Sequence, residues 1–298
     1  MSAADVLKRD GLLARIGPAH RWRAVLRSEV RKTTSVRLYW LLLIPIAVLA
    51  LAMSLFGSLI TLLVPGATDT SPVLLLAGLA STLSAVSMVG GAFGALSASG
   101  EYRHRTVTQA FLTGSRGQVL GSKVVVAAVV AAVYGLLMAL LGPLLGGAVL
   151  GGQTLPGAGA LISLGLVGML VCAFWGVIGV AVGTLVPNQA GAVALVVGYS
   201  LIGENVLAGV LRAGEDGGSS PTVFARVTSF LPGNAGDIAL YESPVNAAGQ
   251  GGDGRQILEF LAGVSSPPPG WLALLVLLAW TVAAVALATV VGGRRDIT

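Results

Sequence analysis

The sequence predicts an all-α membrane protein with six transmembrane helices, an N-terminal interfacial amphipathic helix and a long outer loop between spans five and six. Its 298 residues are 55% hydrophobic and only 10% charged, whereas a soluble domain carries about 25% charged residues. The apolar residues form six runs that reach the roughly 20 residues a helix needs to cross a bilayer. The predicted spans are Leu38–Val64, Val73–Ala98, Val124–Leu150, Ala158–Val186, Gly191–Leu211 and Gly270–Gly292.

The basic residues predict the orientation of these spans. Fifteen of the 18 Lys and Arg residues lie in an N-terminal arm (1–37), an inner segment between spans two and three (99–123) and a tail (293–298). Cytoplasmic segments carry such an excess. Both termini are therefore predicted in the cytoplasm, with the six-span domain (38–292) in the inner or plasma membrane and the loop 212–269 outside.

The N-terminal arm contains a helical pattern in "HRWRAVLRSEVRKTTSVRLYW". Apolar residues recur at helical spacing on one face, and basic residues recur on another. This pattern predicts an amphipathic helix in the inner interface of the membrane. A basic helix that only sets the topology fits the pattern equally well. The apolar face is Trp22, Val25, Leu26 and Val30, and the basic face is Arg23, Arg27 and Arg31.

The outer loop contains two apolar patches, "PTVFARVTSFLPG" and "RQILEFLAGV". Each patch is predicted to form either a short helix that dips back toward the bilayer or part of a small outer cap. Backbone that returns to that depth needs protein or water around it, because lipid cannot satisfy its polar groups.

Enzymatic function is not indicated. The chain has two histidines, neither inside a predicted span, and a lone Cys172 within an apolar run, so a catalytic Ser–His pair and a metal site both lack residues. A phosphate-binding loop needs Gly-Lys followed by Ser or Thr, and none of the three lysines follows a glycine. We expect no ATPase activity, no cofactor and no nucleic-acid partner for this chain.

One acid, Glu204, lies inside a predicted span, with Asn205 beside it. Counted from the inner turn, Glu204 lies about 20 Å into the membrane at 1.5 Å per residue. Ionisable residues at such depth usually serve substrates or gates. Glu204 and Asn205 are therefore candidates for a pathway or a gate, and the alternative is a pair at the wet outer end of a short span. Glycine pairs such as Gly179 and Gly183 predict close helix packing, within the chain or between subunits.

The inner segment contains "GEYRHRTVTQAFLTGSRGQVLGSK". Glu101, Tyr102 and Arg103 are predicted to close the second span, and Lys123 to open the third. Between them, "TVTQAFLTGS" has a short apolar face that ends at a glycine. We therefore predict a short helix that lies across the inner surface and presents a defined shape to a cytoplasmic partner.

This segment and the overall layout resemble a type-2 ABC transporter permease. The matching residues are Glu101, Tyr102, Arg103, Thr106, Arg116 and Lys123. Two positions depart from the family pattern: Arg105 stands where the family usually has glycine, and Ser115 and its neighbours lack the proline often found before the arginine.

The resemblance implies a permease subunit that pairs with a second copy or a homologous chain. Separate P-loop ATPase subunits, which hold ATP and Mg²⁺, would dock on the inner helix within 101–121. The implied cargo is a hydrophobic or cationic compound such as a drug, antibiotic or lipid, exported from the cell. A membrane scaffold or sensor that recruits a cytoplasmic partner is the alternative function. The implied coupling residues are Glu101, Tyr102, Arg103, Arg105, Thr106, Phe111 and Arg116, with an ion pair expected between Glu101 and Arg103.

Overall fold

The computed structural model describes residues 18–63, 67–103, 115–149, 155–213, 222–247 and 254–294. Within these ranges the chain is 91% helical and contains no strand. The first helices are α1 (Pro18–Ser35), α2 (Arg37–Leu41), α3 (Leu43–Leu63), α4 (Ala67–Arg103), α5 (Arg116–Val149) and α6 (Ala158–Leu185). The later helices are α7 (Gln189–Gly198), α8 (Glu204–Arg212), α9 (Val223–Val227), α10 (Pro232–Ala247), α11 (Gly254–Ala262) and α12 (Gly270–Arg294).

Five helical segments among the described residues are long and apolar enough to cross a membrane. They correspond to predicted spans two to six, so the chain is a multi-pass, all-helical membrane protein. The first predicted span coincides with α3, whose described apolar part is the shorter stretch Leu43–Met53, and the count of six spans stays a prediction. The five segments are Pro72–Glu101, Arg116–Ala148, Ala158–Leu185, Gln189–Arg212 and Gly270–Gly292.

The described beginning and end of the chain lie at the same end of the helix bundle. Helix α1 packs against the start of α5, where the Trp22 ring lies against Gly121. The guanidinium of Arg116, also at the start of α5, donates a hydrogen bond to the carbonyl of Gly292 at 3.4 Å. We call this the charged end of the bundle, and the opposite end, where α6 and α12 begin, the far end.

Glycines bring α4 and α6 into backbone contact at the centre of the bundle. An added Cβ at Gly94 would overlap the carbonyl oxygen of Gly176, and one at Gly179 would overlap that of Gly91. An added Cβ at Gly183 would likewise overlap the carbonyl oxygen of Ala95. The close packing predicted from Gly179 and Gly183 is thus found within the chain, where small residues let two backbones approach and gain dispersion contacts.

The fifth predicted span is not a uniform α-helix. A π-helical turn, Tyr199–Gly203, joins α7 to α8. Such turns are frequent at functional sites. This one ends directly before Glu204, the acid predicted inside the membrane.

The described part of the loop 212–269 contains the α-helices α9, α10 and α11 and a 3-10 turn, Thr228–Phe230. Of these, α10 packs into the bundle. Helix α10 contacts α4, α6 and α12, and its Ile238 and Leu240 are fully buried. The two apolar patches contribute the short helices α9 and α11, in which Phe224 and Phe260 are 66% and 85% exposed. Their position relative to the bilayer, as helices that dip back or as an outer cap, stays a prediction. The burial of α10 was not predicted from the sequence, because this helix mixes small apolar residues with acids.

The glycine contact between α4 and α6 gives a direct test of the packing. We expect Gly94→Ala to lower the free energy of unfolding by about 2 kcal/mol, because the methyl group overlaps backbone that cannot move aside. Gly198→Ala is the matched control, since an added Cβ there meets no atom within 4 Å. Thermal unfolding of the purified protein in detergent measures both, and equal midpoints would contradict the close contact.

Candidate functional site

Four charged side chains from three helices form a closed ring at the charged end. The Lys32 Nζ atom lies 2.6 Å from Glu29 Oε1 and 2.7 Å from Glu101 Oε1. The Lys123 Nζ atom lies 2.9 Å from Glu29 Oε2 and 2.7 Å from Glu101 Oε1. Each carboxylate therefore contacts both ammonium groups. We call these four residues the charge quartet.

The charge quartet is largely buried and carries no net charge. Glu29, Glu101 and Lys123 are 6%, 9% and 6% exposed, and Lys32 is partly exposed. Buried charges are tolerated only when they are paired and hydrogen-bonded, and the alternation of two acids and two bases meets this condition. Removing any one member leaves an uncompensated charge in an apolar surrounding.

Lys32 remains charged at neutral pH. Burial disfavours its ammonium form, but the hydrogen bonds and charges of Glu101 and Glu29 outweigh burial and raise the pKa of Lys32 above its usual 10.5. A base with a raised pKa in the folded state contributes stability below its unfolded pKa. The contribution of Lys32 is thus fully present below about pH 10.5 and is lost as the pH rises through the raised pKa.

Helix α1 brings Glu29 and Lys32 to the quartet on a single face. Trp22, Val25, Glu29 and Lys32 are three or four residues apart, so they lie one above another on the helix. Val25 is buried, and an added Cβ at Gly121 would lie 3.1 Å from the Trp22 ring. Among the described side chains of the helix, the exposed basic residues are Arg23, Arg27 and Arg31.

Glu29 was not among the predicted functional residues. It is the one acid in "HRWRAVLRSEVRKTTSVRLYW", a stretch interpreted only by its apolar and basic faces. Helical spacing could have identified it. Glu29 follows Val25 by four residues and precedes Lys32 by three, so it lies on the same face of the helix as both. An acid on the apolar face of a basic helix needs a buried cation.

The helix that contains the third predicted span begins before Lys123. Helix α5 begins at Arg116, so Lys123 lies about two turns inside it rather than at its start. The cause is a reciprocal cap in "SRGQ": the Gln118 N–H donates to Ser115 Oγ at 3.3 Å, and the Ser115 N–H donates to Gln118 Oε1 at 3.2 Å. This is the capping box that starts many helices.

The predicted coupling residues divide between described and undescribed parts of the chain. Glu101 and Arg116 are described, and the partners of Glu101 are Lys32 and Lys123. Tyr102 and Arg103 end α4, but their side chains lie outside the described residues, and so does the expected ion pair of Glu101 with Arg103. Arg105, Thr106, Phe111 and the predicted short inner helix also lie outside the described residues.

Glu204 caps a helix near the middle of the bundle. It is 4% exposed, and its carboxylate accepts hydrogen bonds from the backbone N–H groups of Gly233 at 2.8 Å and Asn234 at 2.6 Å. Tyr199 in the π-helical turn also hydrogen-bonds this carboxylate. The first N–H groups of α10 lack partners within the helix and favour an anion. Glu204 is thus enclosed by protein and ties α8 to α10.

A small polar cavity adjoins this cap. Its volume is about 70 Å³, enough for bound water. Asp237 of α10 faces it and hydrogen-bonds Ser84 of α4. Asn205 also lines it, and the Asn205 amide donates to the carbonyl of Leu201 at 3.0 Å. We call this the mid-bundle cavity; its lining includes Ser84, Ser87, Trp175, Ser200, Glu204 and Asp237.

Two further acids of the loop 212–269 accept backbone hydrogen bonds. Glu242 Oε1 accepts from the N–H of Gly270, the first residue of α12, at 3.0 Å. Glu259 Oε1 accepts from the N–H of Ser266 at 3.0 Å. Glu242 therefore ties the loop to α12, whereas the bond of Glu259 lies within the loop.

The fold and these sites define a helical, multi-pass membrane protein with buried charges at one end and in its middle. Models of known protein families do not match the chain, and no curated protein sequence matches it. The resemblance to type-2 ABC permeases therefore stays a prediction from the inner segment and the predicted layout of the spans.

The charge quartet predicts strong coupling between its members. We expect Glu101→Gln or Lys123→Met to lower the free energy of unfolding by about 3 kcal/mol, because each leaves a buried charge unpaired. The double variant retains the neutral pair of Glu29 and Lys32. The loss of unfolding free energy in the double variant should therefore be smaller than the sum of the two single-variant losses, by about 1 kcal/mol or more. Denaturant unfolding in detergent measures this cycle, and strictly additive losses would contradict the ring.

The cap on α10 predicts a requirement for glycine at position 233. An added Cβ there would overlap the Glu204 carboxylate, so Gly233→Ala should displace it and cost about 1 kcal/mol of stability. Gly209→Ala is the control, because it lies on α8 with no atom within 4 Å of an added Cβ. Equal unfolding temperatures for the two variants would show that the cap formed by Glu204 does not require glycine at position 233.

Proposed function

We propose that this chain is the permease subunit of an ATP-driven transporter of the type-2 ABC class and exports a hydrophobic or cationic compound. It pairs with a second copy or a homologous chain. Separate P-loop ATPase subunits bind ATP and Mg²⁺ and dock on the inner segment between α4 and α5. The chain contributes the membrane pathway and no catalytic residue.

The observation that carries the proposal is the charge quartet. It joins the interfacial helix α1, the last turn of α4 and the second turn of α5, which are the elements on both sides of the proposed docking segment. A force on residues 104–114 would reach all three helices together, because their ends are tied by short ion pairs. Glu101 and Lys123 are the members that lie on the two spans.

The mid-bundle cavity favours transport over a scaffold or sensor role. Two acids, Glu204 and Asp237, face a cavity near the middle of three candidate spans. Polar and ionisable groups at this depth are costly, and they usually line the paths of substrates and ions. Recruitment of a cytoplasmic partner alone would not require them.

In this mechanism, closure of the ATPase subunits pushes the inner segment. The charge quartet transmits the movement to α1, α4 and α5 as one unit. Because glycines hold α6 against α4 through backbone contacts, α6 moves with them. The bundle then rocks against its partner permease and opens to the other side of the membrane.

Purification of the protein from its own cells tests the proposal. We expect the chain to co-purify with a P-loop ATPase whose ATP hydrolysis responds to the permease. The Glu101→Gln/Lys123→Met variant should keep this association but lose at least about half of the response, because the docking segment is no longer tied to α1. Glu259→Gln, outside the quartet, is the matched control. A stable complex without a nucleotide-binding partner would instead favour a scaffold.

A further inference from the structure

A larger pocket lies at the far end of the bundle, between α6 and α10. Its volume is about 400 Å³, which falls within the range of small-molecule sites, about 300–1,000 Å³. The pocket is separate from the charge quartet and from the mid-bundle cavity. Its chemistry is set by Ser163, Val167, Ala239, Glu242, Ser243 and Asn246.

The pocket has a negative charge and no positive one among the described residues that line it. Glu242 is its charged member, and the hydrogen bond from the Gly270 N–H holds this carboxylate in place. The hydroxyls of Ser163 and Ser243 lie 3.3 Å apart and offer further acceptors, as does the side-chain oxygen of Asn246. This charge pattern is complementary to a cation that donates hydrogen bonds.

The lining distinguishes between kinds of organic cation. Quaternary ammonium groups have no N–H donor and are usually held by the faces of aromatic rings. The described lining contains no aromatic residue. A primary ammonium group has three N–H donors that can reach a carboxylate, a hydroxyl and an amide oxygen. Val167 and Ala239 leave room for a small apolar body beside the charged group.

We propose that this pocket binds protonated primary amines with a small aliphatic body. That such amines are transported cargo rests on the proposed function, and it narrows the expected class from hydrophobic or cationic compounds to primary amines. Binding itself requires this chain alone. The pocket then serves as the site where the amine is held at the far side of the membrane.

Calorimetry on the full chain in lipid nanodiscs at neutral pH tests the proposal. The probes are n-butylammonium, n-butyltrimethylammonium and n-butanol. We expect saturable binding of n-butylammonium and at least about tenfold weaker binding of the other two. Glu242→Gln should weaken n-butylammonium binding at least about tenfold. Glu259→Gln should leave it unchanged, because that carboxylate accepts from Ser266 and does not line the pocket.

Glu242→Gln alters both the pocket and the cap on α12, so a second variant is needed that alters the pocket alone. Gly159 lines the pocket, and an added Cβ there meets no atom within 4 Å. Gly159→Phe should narrow the pocket and weaken binding with Glu242 intact. Equal binding of the three probes by the unaltered chain, or unchanged affinity in both variants, would overturn the proposal. Amine binding by a chain that recruits no ATPase would contradict the proposed function and leave the pocket assigned.

Discussion

The charge quartet is the interaction on which the charged end of the bundle depends. In an apolar chain, a buried carboxylate or ammonium is stable only with a partner of opposite charge. Glu29 and Glu101 each contact both Lys32 and Lys123, and these contacts require α1 to lie against the ends of α4 and α5. The position of α1 is therefore a consequence of electrostatics as much as of its apolar face.

The same constraint explains the middle and the far end of the bundle, with backbone N–H groups in place of lysines. Glu204 and Glu242 each accept hydrogen bonds at the start of a helix, where N–H groups are unpaired. Both capped positions are glycines, and an added Cβ at Gly233 or Gly270 would overlap the carboxylate. Glycine in this chain thus serves two purposes: it lets α4 and α6 approach, and it leaves room for carboxylates that cap helices.

Much of the fold could be predicted from local patterns. Run length and composition locate five spans, because a helix in lipid must be long and apolar. Glu29 and Lys123 were not recognised as partners, since they lie 94 residues apart and the ion pair depends on the fold. Helix α10 was not predicted to be buried, because its acidic residues are typical of an exposed segment. The start of α5 at Arg116 was predictable, because the capping pair Ser115 and Gln118 is local.

The separation of these sites suggests how one chain could combine coupling with binding. The charge quartet lies beside the proposed docking segment, the mid-bundle cavity lies between the spans, and the pocket proposed to bind amines lies at the far end. Glycine contacts between α4 and α6 connect the three levels, because backbones in direct contact leave little freedom to slide. A movement that begins at α1 and α5 can therefore reach the elements that enclose both cavities.

The central claim is that the charge quartet fixes α1 to α5. Spin labels on cysteines introduced at Arg27 and Gly117 test it through the distance distribution from pulsed electron paramagnetic resonance. Arg27 is exposed, an added Cβ at Gly117 meets no atom within 4 Å, and the native Cys172 is buried. We expect one narrow distance in the labelled chain and a broad distribution when Glu29→Gln is added. An equally narrow distribution in both would contradict the account.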